Sequence, residues 1–173
     1  MPKPPPTTEL EFLKLTGNHA EFGQKLTSLR ISAPDLADHA KHVCVCWFGL
    51  GQQHLDEARA ALKAKCVRAA YSRAYYAAYN ASKATRYMVN GVVSLKGDDH
   101  GKAAANLPVD LPNVAQWSQK ITSLYEHRLR ADYDNWPSTT SDHTLTPTGA
   151  IKIAQAFINE VRVYINSKFG MTI

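Results

Sequence analysis

The chain has 173 residues, enough to bury one core without a disulfide or metal staple, and 45% hydrophobic with 20% charged residues excludes wholesale disorder. A net charge of +5 and a pI near 9.1 are compatible with a polyanionic partner such as nucleic acid but do not require one. The cations are unevenly spread: eight Lys or Arg stand between positions 58 and 97 without one acid.

The opening "PKPPPTT" has no means of building a helix and is expected as a disordered or polyproline II tail. No apolar run suits a signal peptide, and none approaches the ~20 residues of a membrane span, so membrane insertion is not expected. The sparse, odd set Cys44, Cys46 and Cys66 argues for a reducing compartment, the cytoplasm. Residues 8–31 carry short apolar groupings around Leu10, Phe12, Leu13, Phe22, Leu26 and Leu29, broken by "TGN", and predict short helices or an irregular arm. Ser32, Pro34 and Asp35 start a helix that leads through "KHVCVCWF", although the β-branched and aromatic run 43–48 also fits a short strand. Gly49 and Gly51 punctuate there, and "QQHLDEARAALKA" resumes with Leu55, Ala58, Ala61 and Leu62 at helical spacing, opening a helical hairpin.

The stretch "KCVRAAYSRAYYAAYNASKATRYMVNG" is the cleanest helix, rich in alanine and ending at Asn90-Gly91. Val67, Ala70, Ala74, Ala77, Ala78, Ala81, Thr85 and Met88 form one stripe, small enough for close helix contact. Lys65, Arg68, Lys83 and Arg86 fall opposite with Tyr76 and Tyr79, a basic face with interleaved aromatics that could take RNA through phosphate contacts and stacking, or be an ordinary solvated face. Arg73 projects between the two faces. A loop containing "GDDHG" leads to a helix over about 113–136, which stops before Pro137, and "STTSDHTLTP" forms a second polar loop before a last helix over about 148–169.

Other signals are weaker. His39, His42, Cys44 and Cys46 are zinc-ligand types, but their spacing is poor and no second pair follows at finger spacing, so no metal is expected. "GLG" at 49–51 lacks the third glycine and the preceding strand of a dinucleotide fingerprint, and no cofactor is expected. Ser72 reads as a small packing residue rather than a nucleophile.

In the helix from 113, Val114, Trp117, Ile121, Leu124, Tyr125 and Trp136 define an apolar face, with Arg128 and Asp132 inside it and Glu126, His127 and Arg130 pointing elsewhere. An unpaired inward charge costs several kcal/mol, so Arg128 and Asp132 need partners, each other at i, i+4 among the choices. They either tie the bundle or a dimer together, or line a cleft in which the planar fork of Arg128 holds a phosphate.

"AAYSRAYYAAYNASKA" followed, after a histidine-containing loop, by "RLRADYD" resembles the HEPN superfamily (higher eukaryotes and prokaryotes nucleotide-binding), especially the small prokaryotic type with a Ser-Arg-Ala-Tyr-Tyr-Ala helix and an Arg-x-x-x-Asp-Tyr motif. The resemblance covers about 50–166, which divides the chain into an N-terminal extension, 1–49, and a HEPN-like bundle, 50–173. It implies an all-α fold of four to five helices that forms a homodimer or joins a larger complex, in toxin-antitoxin or anti-phage systems, with a cognate antitoxin or defence protein as partner. Many members are metal-independent ribonucleases whose signature is an Arg followed after four to six residues by His, in a dimer cleft. Here the positions counted from Arg128 are Tyr133, Asp134 and Asn135, and from Arg130 they are Asn135, Trp136 and Pro137. A histidine titrates near neutrality and tyrosine only near ~10, so the usual acid–base route lacks its group, with His127 and His100 as substitutes to weigh. The resulting reading centres a site for RNA or nucleotide phosphate on Arg128, Asp132 and Tyr133. Arg73, Arg130, Lys65, Arg68, Tyr76, Tyr79, Lys83 and Arg86 bind phosphate or bases, and Arg73 reaches Asp132. The alternative is a non-catalytic interaction or scaffold subunit in which Arg128 and Asp132 are structural.

Overall fold

The structure, a computed structural model, describes residues 17–28, 34–94, 99–134 and 144–173. Six helices occur among them: α1 (His19–Ser28), α2 (Pro34–Lys63), α3 (Val67–Asn90), α4 (Lys102–Ala105), α5 (Val114–Tyr133) and α6 (Pro147–Phe169). The fold is all-α, as the periodicity predicts. The described residues include no strand, only an isolated antiparallel bridge between Asn18 and Val92. The "PKPPPTT" tail, Trp136 and most of the "STTSDHTLTP" loop lie outside the described residues.

α2 differs from its expected form. Gly49 and Gly51 do not break it, the run 43–48 is helical, and one helix of 30 residues crosses the 49/50 position. The reason at Gly51 is close approach: a Cβ there would stand 3.0 Å from the carbonyl oxygen of Ala77, so the missing side chain lets α2 settle against the α3 backbone. Ala58 and Leu55 on α2 and Ala70, Ala74, Ala77 and Ala81 on α3 are all buried, the alanine stripe serving as the contact. Gly51→Val should therefore lower stability by about 1–3 kcal/mol, the cost of overpacking, as read from urea unfolding. No change would mean the helices can separate there.

The α2–α3 turn closes with two bonds, Cys66 N–H to Ala61 O at 2.8 Å and Lys65 N–H to Leu62 O at 3.0 Å, with Lys65 left-handed at φ 61°. Lys65 thus sits on the turn and not on the α3 face where the spacing put it. α3 ends as predicted, Gly91 adopting φ 69° and donating to Tyr87 O. α6 begins at Thr146, whose side chain accepts from Gly149 N–H, with Pro147 in the first turn.

α3 is the centre of the molecule, packed against α2, α5 and α6. Its alanine side meets α2, while Tyr71, Tyr75, Ser82, Arg86 and Tyr87 on its other sides are buried too. Of the residues the sequence reading set opposite the alanines on α3, Arg86 is buried, while Arg68, Tyr76, Tyr79 and Lys83 are half-buried. α1 packs on α2, and Val93 N–H donates to Gly17 O at 3.2 Å, tying the start of the described chain to the segment after α3.

Candidate functional site

Tyr75, Tyr76 and Tyr79 recur at one-turn spacing on the side of α3 that looks toward α5. Together with Tyr125 of α5 they enclose His100, which arrives from the loop after α3. His100 stacks on Tyr79 with ring centroids 4.7 Å apart and on Tyr125 at 6.1 Å, and meets Tyr76 edge-on at 6.0 Å. Its Nδ1 shares a hydrogen bond with the Tyr75 hydroxyl at 2.8 Å, and Nε2 has no hydrogen-bond partner among the described residues. Burial, then the nearby Arg128 charge, hold the imidazole below its ordinary pKa, with Asp99 opposing and Lys83 adding slightly. The ring is therefore neutral near pH 7. Burial also pushes the Tyr75 hydroxyl far above its usual range, so it remains a protonated partner.

Asp99, the residue before His100, explains how a loop residue is held in place. Arg86 grips it bidentately, Nη1 to Oδ1 at 3.0 Å and Nη2 to Oδ2 at 2.6 Å, and both side chains are buried, at 2% and 1% exposure. Arg86 Nε also donates to Ser82 Oγ, Ser82 donates to Ala103 O, and Ser94 N–H donates to Asp99. Each polar group in this interior thus has a partner, which a buried ion pair needs. Arg86 is accordingly no phosphate ligand on an open face: its charge is spent on Asp99. Lys83 is half-buried, its ammonium 4.9 Å from the Trp47 ring centre and 5.6 Å from that of Tyr79. Asp99 was missed because a salt partner across a loop leaves no periodic trace in the sequence.

Arg128 does face inward, its side chain 12% exposed. Nη2 donates to the Tyr76 hydroxyl at 3.1 Å, and the guanidinium carbon lies 5.5 Å from the Tyr76 ring centre and 5.3 Å from that of Tyr133. Asp132 pairs with it at i, i+4, Oδ2 lying 2.7 Å from Nε. That N–H does not point along a hydrogen bond to any acceptor, so the contact is charge pairing without a directed bond. Asp132 also accepts from Ser72 Oγ at 3.5 Å. Tyr133 is open to solvent, its ring over the Arg128 guanidinium.

Several expected placements change. Arg73 does not reach Asp132. It turns to α2, with Nε 3.3 Å from Glu57 Oε2 and Nη1 3.2 Å from His54 Nδ1. His127 points inward where the projection turned it away: it is 4% exposed, stacks on Tyr71 at 5.7 Å and meets Thr144 Oγ1 through Nε2 at 3.2 Å. The interior line of α5 runs Trp117, Leu124, Ala131, and His127 lies beside it while Asp132 borders it. Arg68 donates to the Asp134 carbonyl from both terminal nitrogens at 3.2 Å, closing α5 onto α3, and Arg130 is exposed on the last turn of α5. His54 was also missed. Its ring lies 5.7 Å from that of Tyr76, so Tyr76 touches Arg128, His100 and His54 together.

These groups present one partly covered cation, one neutral imidazole and several hydroxyls, the set that can hold a phosphodiester and move a proton near it. Among the described residues no group of three or more His, Cys, Asp or Glu is poised for a metal, and His42 Nε2 contacts Cys46 Sγ at 3.6 Å with Cys44 buried elsewhere. A groove of about 620 Å³ between α2 and α6, floored by Leu62, Ile151 and Ala156, shares no residue with this cluster. No helix among the described residues is long and apolar enough to cross a membrane.

A family model described as HEPN domain matches residues 46–164, which contain every member of the cluster. No curated protein and no solved structure matches the chain.

Proposed function

The chain belongs to the HEPN family, and from that premise we propose that it binds RNA through a phosphate held by Arg128 and cleaves it without a metal, His100 standing in for the histidine absent from the usual spacing. The observation that carries this reading is the single tyrosine, Tyr76, that touches both the Arg128 guanidinium and the His100 ring. Arg128 supplies the charge and two-pronged donors for a phosphate. Asp132 orients the arginine, Tyr133 offers an exposed ring for a base, and neutral His100 accepts a proton. The setting proposed is a toxin-antitoxin or anti-phage system, with the cleft completed by a second copy and held in check by a cognate partner protein.

Arg128→Ala is expected to abolish the gel shift of labelled single-stranded RNA while the protein stays folded by circular dichroism. Unchanged binding would sink the reading. A second reading has its own support: Arg128 is already engaged by Asp132, Tyr76 and Tyr133. In a scaffold subunit, Arg128→Ala would instead lower the melting temperature by several degrees with no RNA shift in the parent protein.

A further inference from the structure

His54, Glu57 and Arg73 form a cluster on the α2–α3 seam. His54 Nδ1 lies 3.1 Å from Glu57 Oε2, and Gln53 Nε2 donates to Glu57 Oε1 at 3.0 Å. Those hydrogen bonds, His54 first and Gln53 second, with the Arg73 charge, hold the Glu57 carboxyl below its ordinary range and keep it an ionised acceptor. One ring nitrogen cannot donate to Glu57 and accept from Arg73 at once. The ionised carboxylate selects the first arrangement, while Arg73 is held nearby through its own ion pair to the same oxygen. The ring is thus oriented from behind, as a proton-transferring histidine requires. His54 is 14% exposed at its side chain, and its ring packs 5.7 Å from Tyr76, the residue that also contacts Arg128 and His100.

We propose that His54, oriented by Glu57, is the second proton-transfer group of this site and works as general acid opposite His100 as general base. The assignment rests on the RNA-cleaving reading above. His100 Nε2 takes the proton of the ribose 2′-hydroxyl as O2′ attacks phosphorus. The P–O5′ bond breaks, and His54, carrying Nδ1–H to Glu57 and Nε2–H to the substrate, gives the latter proton to O5′. The products are a 2′,3′-cyclic phosphate and a free 5′-hydroxyl. His100 is left protonated and His54 neutral, and exchange with water resets both. No redox partner or metal enters the balance. The charged and titratable groups facing His54 are Glu57 on α2, and Arg73 and Tyr76 on α3. Those facing His100 are Tyr75, Tyr76, Tyr79 and Lys83 on α3, Tyr125 and Arg128 on α5, and Asp99 of its own loop.

The test uses the full chain, a labelled RNA, and uridine 3′-(4-nitrophenyl phosphate), whose leaving group departs without a proton. His54→Ala and the more conservative His54→Gln are expected to lower RNA cleavage by about 100-fold or more, to keep the Arg128-dependent gel shift, and to recover near-parent rates on the nitrophenyl ester. His100→Ala loses activity on both substrates. Parent-like RNA cleavage by the His54 variants, or equal losses on both substrates, overturns the assignment. A parent protein that shifts RNA without cutting it also overturns it and leaves the binding site standing, whereas one that neither shifts nor cuts overturns the site reading as well.

Discussion

Asp99→Ala is expected to destabilise the protein by about 3–5 kcal/mol, the cost of leaving one member of a buried ion pair alone. Arg86 would remain in the interior at 2% exposure with both terminal nitrogens deprived of their acceptor and only Ser82 left to it. The gross attraction between the two charges is not the quantity lost. What matters is that a guanidinium cannot shed its proton and must be solvated by whatever remains. Replacing both residues at once, with Arg86→Met and Asp99→Leu, should restore most of the stability in urea unfolding, because two apolar side chains need no partner. His100 follows Asp99 directly, so that double variant should refold well and still lose the placement of His100 among its tyrosines. A stability unchanged in Asp99→Ala would mean that water reaches Arg86, and the pair would not be what holds the loop.

His100→Ala is expected to reduce RNA cleavage by about 100- to 10,000-fold, the usual worth of a positioned base, while the gel shift through Arg128 persists. The pH dependence gives the more specific reading. In the folded protein burial and the Arg128 charge depress the imidazole pKa below its ordinary value. A base with a depressed pKa is already free at pH values where an ordinary histidine near ~6.5 would still be protonated, so the acidic limb of the rate profile should fall below that value. The same shift governs stability. Between the folded pKa and ~6.5 the unfolded chain binds more protons than the folded one, so stability is complete above ~6.5 and declines as pH falls through that window. His100→Gln, which keeps a polar side chain but cannot titrate, should flatten that part of the stability profile. An unaltered profile would remove His100 from the titrating groups of the site.

The helices and their ends were largely legible in the sequence. The alanine spacing of α3, its Asn90-Gly91 stop and the span of α6 are local signals that the fold obeys, because they depend on residues near in sequence. The inward turn of Arg128 and its pairing with Asp132 were readable for the same reason. Illegible were the relations that depend on how many neighbours a helix has. α3 packs against α2, α4, α5 and α6, so Arg86 became interior and Lys83 half-buried, while an acid outside the basic run, Asp99, and one just before it, Glu57, claim Arg86 and Arg73. His127 turned into the core where the projection pointed it elsewhere, and the loop residue His100 entered the tyrosine box. His54 had no signal beyond a histidine and a glutamate three residues apart on a helix, a pairing common on any surface. Gly51 read as a helix stop because its role, letting two backbones touch, exists only in the packed hairpin.

The measurement that tests the account most directly is incubation of the purified protein with labelled single-stranded RNA and tRNA in the presence of a chelator, reading gel shift and cleavage together, with Arg128→Ala and His100→Ala alongside. The account predicts a shift and metal-independent cleavage by the parent protein, both lost in Arg128→Ala, and cleavage alone lost in His100→Ala. Cleavage and binding that survive in Arg128→Ala would contradict it.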